Sequence, residues 1–486
     1  MKLQIALLSI VSALVVACLP ESNDEAQPNL LVNRESASLN FSHPKADCQE
    51  CHAQHVAEWE ISNHAYAAKD PVFHAMLKVG QASTEGKIGQ FCVQCHAPVG
   101  MAAGQTEVIF DEDQGIFQQP LDGLDEVASH GVSCDVCHSI TEVIEPKNAR
   151  MALTPNGVKL GGIKDPVPTE AHASEYSPLH KESEVCGSCH AVTTPRGALA
   201  EETFGEWEMS EAAANGKTCQ SCHMPVYRGK AAPGAPEREL HRHTFVGVDV
   251  SLLPPEEFPG YEEMREMTRT LLRESARIET QYNQAKSEIE VAVTNLSGHA
   301  LPTGATAERQ LWGELIVRDA DNNIVFESGT LDRHGDIRDN ISYHSEAPGT
   351  DPQLLYHGQF LIEDQTLKSI SDEVLAVARK LELDLACNDI IQANEDAPEE
   401  VAVVTFPWQA NWQCNTMIAP DATSRHQYDL SDLVAGKYTA TFRLLFRTFP
   451  PYFLRKLEAQ GGLDPEVKTR VPTVEVAASK IELLIP

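Results

Sequence analysis

Ten of the chain's 13 cysteines fall into five identical units: Cys48-Cys51-His52, Cys92-Cys95-His96, Cys134-Cys137-His138, Cys186-Cys189-His190 and Cys219-Cys222-His223. Each has the spacing C-x-x-C-H. Two thiols at that spacing add across the two vinyl groups of one haem, and the next residue turns its imidazole onto the iron. A single unit would share its cysteine spacing with thioredoxin-like redox pairs and zinc knuckles. Five units argue against both. Zinc takes two such pairs per ion and leaves one over, and a disulfide framework has no reason to set a histidine after every second cysteine. The sequence therefore calls for five c-type haems, each with a Cys pair as covalent tether and the following His as an iron ligand.

A chain so occupied has little freedom in how it packs. The first cysteines stand at positions 48, 92, 134, 186 and 219, and aromatic residues make up only 6% of the sequence. The macrocycles are expected to fill much of the core and to lie close enough for direct electron hopping. Axial ligands, hydrogen bonds and burial then set the individual potentials.

The N-terminus points to a compartment outside the cytoplasm. Residues 1–17 combine a Lys-bearing start with an apolar run from Ile5 to Ala17, too short to span a bilayer permanently, and read as a signal peptide. Val15-Val16-Ala17-Cys18 resembles the lipobox of bacterial lipoproteins, which implies lipidation at Cys18; a soluble secreted protein cut nearby is the alternative. Leu19 follows the cysteine, not the Asp that often holds such proteins at the inner membrane. An outer-membrane anchor, at the periplasmic face or the cell surface, is expected. Residues 18–46 are polar, with Pro20, Pro28 and Pro44, and read as a flexible tether.

Charge narrows the partners. With 38 Lys+Arg against 71 Asp+Glu the net charge is −33, which argues against nucleic acid and anionic bilayer surfaces and favours redox proteins with basic docking patches. A hydrophobic share of 42% and a charged share of 22% exclude both wholesale disorder and a polytopic membrane protein.

The chain has 19 histidines, and those outside the five units but before residue 244 are His43, His55, His64, His74, His130, His172, His180, His241 and His243. His64 follows Val56, Trp59 and Ile61 in a stretch without Gly or Pro, a pattern that predicts a helix leaving the first unit. His130 precedes Cys134 by four positions and His180 precedes Cys186 by six, so either can serve one haem from beside the attachment site of the next. His172 competes with His180, while His55 and His74 read equally well as exposed helical residues.

The run Trp59-Glu60-Ile61-Ser62-Asn63-His64-Ala65, the segment His130-Gly131-Val132-Ser133-Cys134 and the ending Cys219-Gln220-Ser221-Cys222-His223-Met224-Pro225 resemble multihaem cytochromes c of the cytochrome c-554 type over roughly residues 45–250. The resemblance implies distal ligation by His64, His180 and His243, with His241 a rival for the last. It also implies that one haem can be five-coordinate in some members. In others a Lys replaces the proximal His at a reducing centre, and this chain departs from those because all five units end in His.

Beyond residue 250 the pattern changes. After Pro254, Pro255 and Pro259, residues 261–281 have helical spacing. Period-two alternation follows at Ile289, Val291 and Val293, at Leu311, Leu315 and Val317, at Ile324–Glu327 after a turn, and from Tyr438 to Phe446. These runs predict an antiparallel β-sandwich of immunoglobulin or fibronectin character. The expected architecture is α+β and multidomain: a mostly helical or irregular pentahaem cytochrome c domain at 47–250, a connecting helix at 251–284 and the sandwich at 285–486. Cys387 and Cys414 are expected to form a disulfide in an oxidising compartment, with two free thiols as the alternative. The loop Gly298-His299-Ala300-Leu301-Pro302-Thr303-Gly304 resembles the Gly-His-x-x-Pro-Thr-Gly loop of several multihaem cytochromes, which implies that His299 reaches back to a haem. His334, His344, His357 and His426 have no comparable context.

Function follows as an expectation. Irons capped on both sides by imidazole have no open site, and five in series suit an electron carrier between periplasmic and extracytoplasmic redox partners. The alternatives are an oxidoreductase acting on a small nitrogen or sulfur oxyanion at one haem with an open sixth position, or a subunit of a larger conduit or filament.

Overall fold

The computed structural model describes residues 29–33, 39–338, 351–365 and 401–486. The signal peptide, Cys18 and Cys387 lie outside the described residues. Cys414 is disulfide-bonded.

Short helices and two-stranded ladders fill the first half. Helix α1 (Ala53–Glu60) leaves the first C-x-x-C-H unit and stops at Ile61; a second helix, α2 (Asn63–Tyr66), then carries His64. The single helix expected here is thus broken. The hydroxyl of Ser62 donates to the Trp59 carbonyl at 2.7 Å, and serine favours such local bonds over a helix interior. The break re-aims His64. Helix α3 (Pro71–Ser83) starts where Asp70 accepts from the Val72 amide at 2.9 Å, with Pro71 in the first turn.

Part of the expected tether is built into the fold. Leu31–Val32 pairs in parallel with Ala152 and Leu153, and Leu30 is buried among Ile140, Met151 and Leu153. The apolar Leu30-Leu31-Val32 triplet offsets the cost of ordering this stretch.

In the second half, helix α4 (Tyr261–Ser275) gives way directly to strand β1 (Ala276–Asn283), so the connecting helix is shorter than expected and residues 276–283 belong to the sheet. From Ala276 the burial alternates with period two, which a strand satisfies and a helix does not. The further strands are β2 (Glu288–Asn295), β3 (Gln310–Arg318), β4 (Ile324–Ser328), β5 (Tyr356–His357), β6 (Thr423–Asp429), β7 (Gly436–Arg447) and β8 (Val474–Ile485). One antiparallel sheet runs β1-β2-β6; the other runs β4-β3-β7-β8, with β5 also on β3. Ile289, Val291 and Val293 of β2 pack on Leu311, Leu315 and Val317 of β3 and on Phe442, Leu444 and Phe446 of β7. The two sheets therefore enclose one core, as in a sandwich.

The halves also share apolar core. Helix α5 (Pro451–Gly461) lies on α3, and Val72, Ala75 and Val79 meet Phe453, Leu454 and Leu457 in one buried cluster. Each of the Val, Leu and Phe side chains, fully buried, contributes about 1.5–3 kcal/mol. Gly461 permits the approach: a Cβ there would stand 2.6 Å from the Ala75 carbonyl oxygen. A smaller sheet, ordered Val401–Val404, Gln359–Asp364, Trp412–Asn415, reaches the haem-motif region through Gln359, whose side-chain amide donates to the Leu199 carbonyl at 2.9 Å. Among the described residues no helix is long and apolar enough to cross a membrane.

Candidate haem-binding site

Each C-x-x-C-H unit closes a single helical turn. The histidine amide donates back to the first cysteine's carbonyl, at 2.8 Å for His52, 3.3 Å for His96 and 3.0 Å for His190. Residues three and four apart share a helix face, so one turn presents both thiols and the imidazole to the same side. All ten thiols are free. Thiols of different units touch: Cys48 bonds Cys134, Cys95 bonds Cys189, and Cys186 bonds Cys219. The first unit thus abuts the third, and the fourth abuts both the second and the fifth.

The histidines are paired at a distinctive spacing. With metal–nitrogen bonds of about 2 Å, two imidazoles on opposite faces of one iron have ring centres about 6 Å apart. His223 faces His299 at 6.3 Å with planes 16° apart, and His138 faces His180 at 5.9 Å and 8°. His190 lies 6.3 Å from His64, and His52 lies 6.2 Å from His172. His138 also has His243 at 6.4 Å and 23°.

Hydrogen bonds fix the tautomer that metal binding needs. The Nδ1 of His52 lies 2.8 Å from the Ala231 carbonyl, that of His138 2.6 Å from Leu160 and that of His223 2.6 Å from Val246. His243 Nδ1 faces the His241 carbonyl at 3.0 Å, and His299 Nδ1 faces that of Ala300 at 3.1 Å. A carbonyl only accepts, so each Nδ1 carries the proton and each Nε2 keeps its lone pair for a metal. Burial holds the rings neutral, lowering His64 and His243 to about 3 and His96 and His299 to about 4. His190 differs. Burial again disfavours its charged form, but its bond to the Glu201 carboxylate prevails and holds it up at about 9. The free thiols, paired imidazoles and lone-pair tautomers fit covalently held haem.

Residues 47–139 match the family model described as cytochrome c554 and c-prime. Over 90% of its length the chain also resembles the solved penta-heme cytochrome c552 from Thermochromatium tepidum, of which it covers 98%, with a TM-score of 0.58 at 19% identity. The comparisons support a multihaem c-type cytochrome. No curated protein matches the chain. That likeness supports a redox role and haem iron.

The remaining histidines sort by position. His64 and His299 stand opposite unit histidines; His180 and His243 stand opposite the same one, His138. His130 does not face a unit histidine. The backbone turns at Gly131, with φ +62° and no room for a Cβ, which would stand 2.7 Å from the His64 carbonyl oxygen, and His130 Nε2 lies 3.3 Å from His43 Nε2. His172 was only a competitor on sequence grounds, yet it faces His52. The parallel pairing of Lys159–Gly161 with Ser174–Tyr176 brings it there, and its Nδ1 is engaged by Ala173 and Ser174. His55, also 6.2 Å from His52, has its Nε2 committed to the Tyr227 hydroxyl at 2.9 Å. His96 is stacked on Phe73 at 4.0 Å, and among the described residues no histidine ring stands across from it.

Proposed function

We propose that this chain carries five c-type haems, one on each C-x-x-C-H unit, and passes electrons along them between redox proteins outside the cytoplasm. The observation that carries this reading is the set of histidine pairs about 6 Å apart, in which His52, His138, His223, His243 and His299 turn Nδ1 to a carbonyl and so keep the Nε2 lone pair for a metal, which suits low-spin irons that exchange electrons without binding substrate. His64 then serves the His190 iron, His299 the His223 iron and His172 the His52 iron; for the His138 iron His243 is favoured over His180, whose Nε2 lies 2.8 Å from the Cys137 carbonyl. In this reading Cys18 bears the lipid that tethers the protein to the outer membrane, and the net charge of −33 steers it to basic patches on its partners.

Mass spectrometry of the mature protein tests the count: five covalent haem masses are expected, and fewer would overturn it. Reduction by a basic electron donor is expected to slow as salt rises, whereas a salt-independent rate would contradict the docking proposal. The lipid is tested by detergent partitioning of the parent and a Cys18→Ser variant, the parent alone entering the detergent phase.

One observation favours a second reading. Among the described residues His96 has Phe73 and no histidine against it, so the second haem is the place for chemistry on a small nitrogen or sulfur oxyanion. A high-spin electron paramagnetic resonance signal that shifts on adding nitrite or hydroxylamine supports that reading; its absence leaves the chain a carrier.

A further inference from the structure

Among the unit histidines, His190 has an acceptor of a different kind. His52, His138 and His223 each turn Nδ1 to a backbone carbonyl, but His190 turns it to the Glu201 carboxylate, 3.1 Å away. The Glu201 side chain is only 17% exposed. It sits at the end of the strand Leu199–Glu201, where Glu201 pairs with Val192. The second half of the chain fixes that strand: the Gln413 side chain accepts from the Leu199 amide at 3.0 Å and Gln359 donates to the Leu199 carbonyl at 2.9 Å. The carboxylate is therefore held by both halves of the protein, beside the most connected attachment site. Cys189 bonds Cys95, Cys186 bonds Cys219, and Cys137 of the third unit is close enough to interact electrostatically with both.

We propose that Glu201 sets the haem of the fourth unit to the lowest potential of the five, so that electrons arriving there are distributed to its three neighbours. The inference rests on the haem reading above. A carboxylate draws the Nδ1 proton more strongly than a carbonyl does, which makes the imidazole a stronger electron donor and stabilises ferric iron. Each transfer moves one electron from the iron held by His190 to the iron held by His96, His138 or His223, and no proton or bond changes at Glu201. Glu201 is a positioning residue in this scheme, acting through His190.

The test is a spectroelectrochemical titration of the full haem-loaded protein and of Glu201→Gln, which keeps the shape and an acceptor but removes the charge. The lowest midpoint is expected to rise so that its oxidised-to-reduced ratio at fixed potential changes at least tenfold, about 59 mV for a one-electron couple. Haem stoichiometry and the low-spin count from electron paramagnetic resonance stay as in the parent. Glu202→Gln removes a neighbouring half-buried acid that has no hydrogen bond to a unit histidine, and leaves that midpoint in place. Unchanged midpoints in Glu201→Gln overturn the inference, as do equal shifts at two haems or an equal shift in Glu202→Gln, which point to a through-space charge effect. A lost low-spin centre also overturns it, because Glu201 then serves only to hold the ligand. A parent protein lacking five haem masses would instead sink the reading on which the inference stands.

Discussion

The imidazole of His299, from the loop that follows β2, lies 6.3 Å from that of His223 with the planes 16° apart. One ring comes from the last C-x-x-C-H unit and the other from the edge of the sandwich, so in the proposed reading a single iron between them would tie the two halves together. His299→Ala is expected to convert one haem in five from low to high spin while leaving the haem mass unchanged. Electron paramagnetic resonance of the oxidised protein checks this. An unchanged low-spin count would mean that His223 is opposed by some other ligand.

The loop bearing His299 is held by a clasp. Glu206 accepts from the Ala300 amide at 3.0 Å and from the Thr303 hydroxyl at 2.6 Å, and Thr203 accepts from the Gly304 amide at 3.1 Å. Glu206→Ala leaves two donors without their acceptor in a buried setting, at a cost of about 1–3 kcal/mol for each. The variant should unfold at lower temperature and bind carbon monoxide, when reduced, at a haem that the parent keeps closed. Glu206→Gln, retaining one acceptor oxygen, should fall between the two. A variant as closed to carbon monoxide as the parent would show that the loop holds itself.

How much of this was legible in the sequence depended on how local each constraint is. The C-x-x-C-H units were plain, because covalent attachment forces thiols and imidazole into one helical turn. The strands around Val291, Leu315 and Phe442 announced themselves by alternation, since each buries one face. His172 was harder to choose, because it reaches His52 only through pairing between strands. Sequence proximity drew attention to His130 beside Cys134, but the backbone at Gly131 turns it toward His43. Nothing local distinguishes Gly461 from an ordinary helix-ending glycine; its role appears only when α3 is beside it.

That contact supplies a stability test independent of haem ligation. In Gly461→Ala the new methyl meets the Ala75 carbonyl oxygen at 2.6 Å and the Ala75 Cβ at 2.9 Å, and both belong to a packed helix that cannot swing aside. Overpacking of this kind costs about 1–3 kcal/mol, more than the gain in helix propensity from replacing glycine, about 1 kcal/mol. Thermal unfolding should therefore shift down with the visible spectrum unchanged. A rise in melting temperature would mean that α3 and α5 part without cost.

Glu308 gives a prediction whose sign depends on pH. Burial pushes its carboxyl from 4.5 up to about 7, and neighbouring Arg309 only partly opposes the shift. Between those values the unfolded chain releases the proton while the folded protein keeps it, so folding becomes less favourable as pH rises through that window. Below 4.5 there is no penalty; above about 7 it is complete, on the order of 3 kcal/mol. Glu308→Gln removes the ionisable group while keeping its size. The melting temperature of the variant relative to the parent should therefore climb steadily from about pH 5 to about pH 7 and then level off. Calorimetry across that range decides the matter. A constant difference would mean that the carboxylate is already charged in the folded protein, with Arg309 as its counter-ion rather than Asp249, which Arg309 bonds at 2.9 Å.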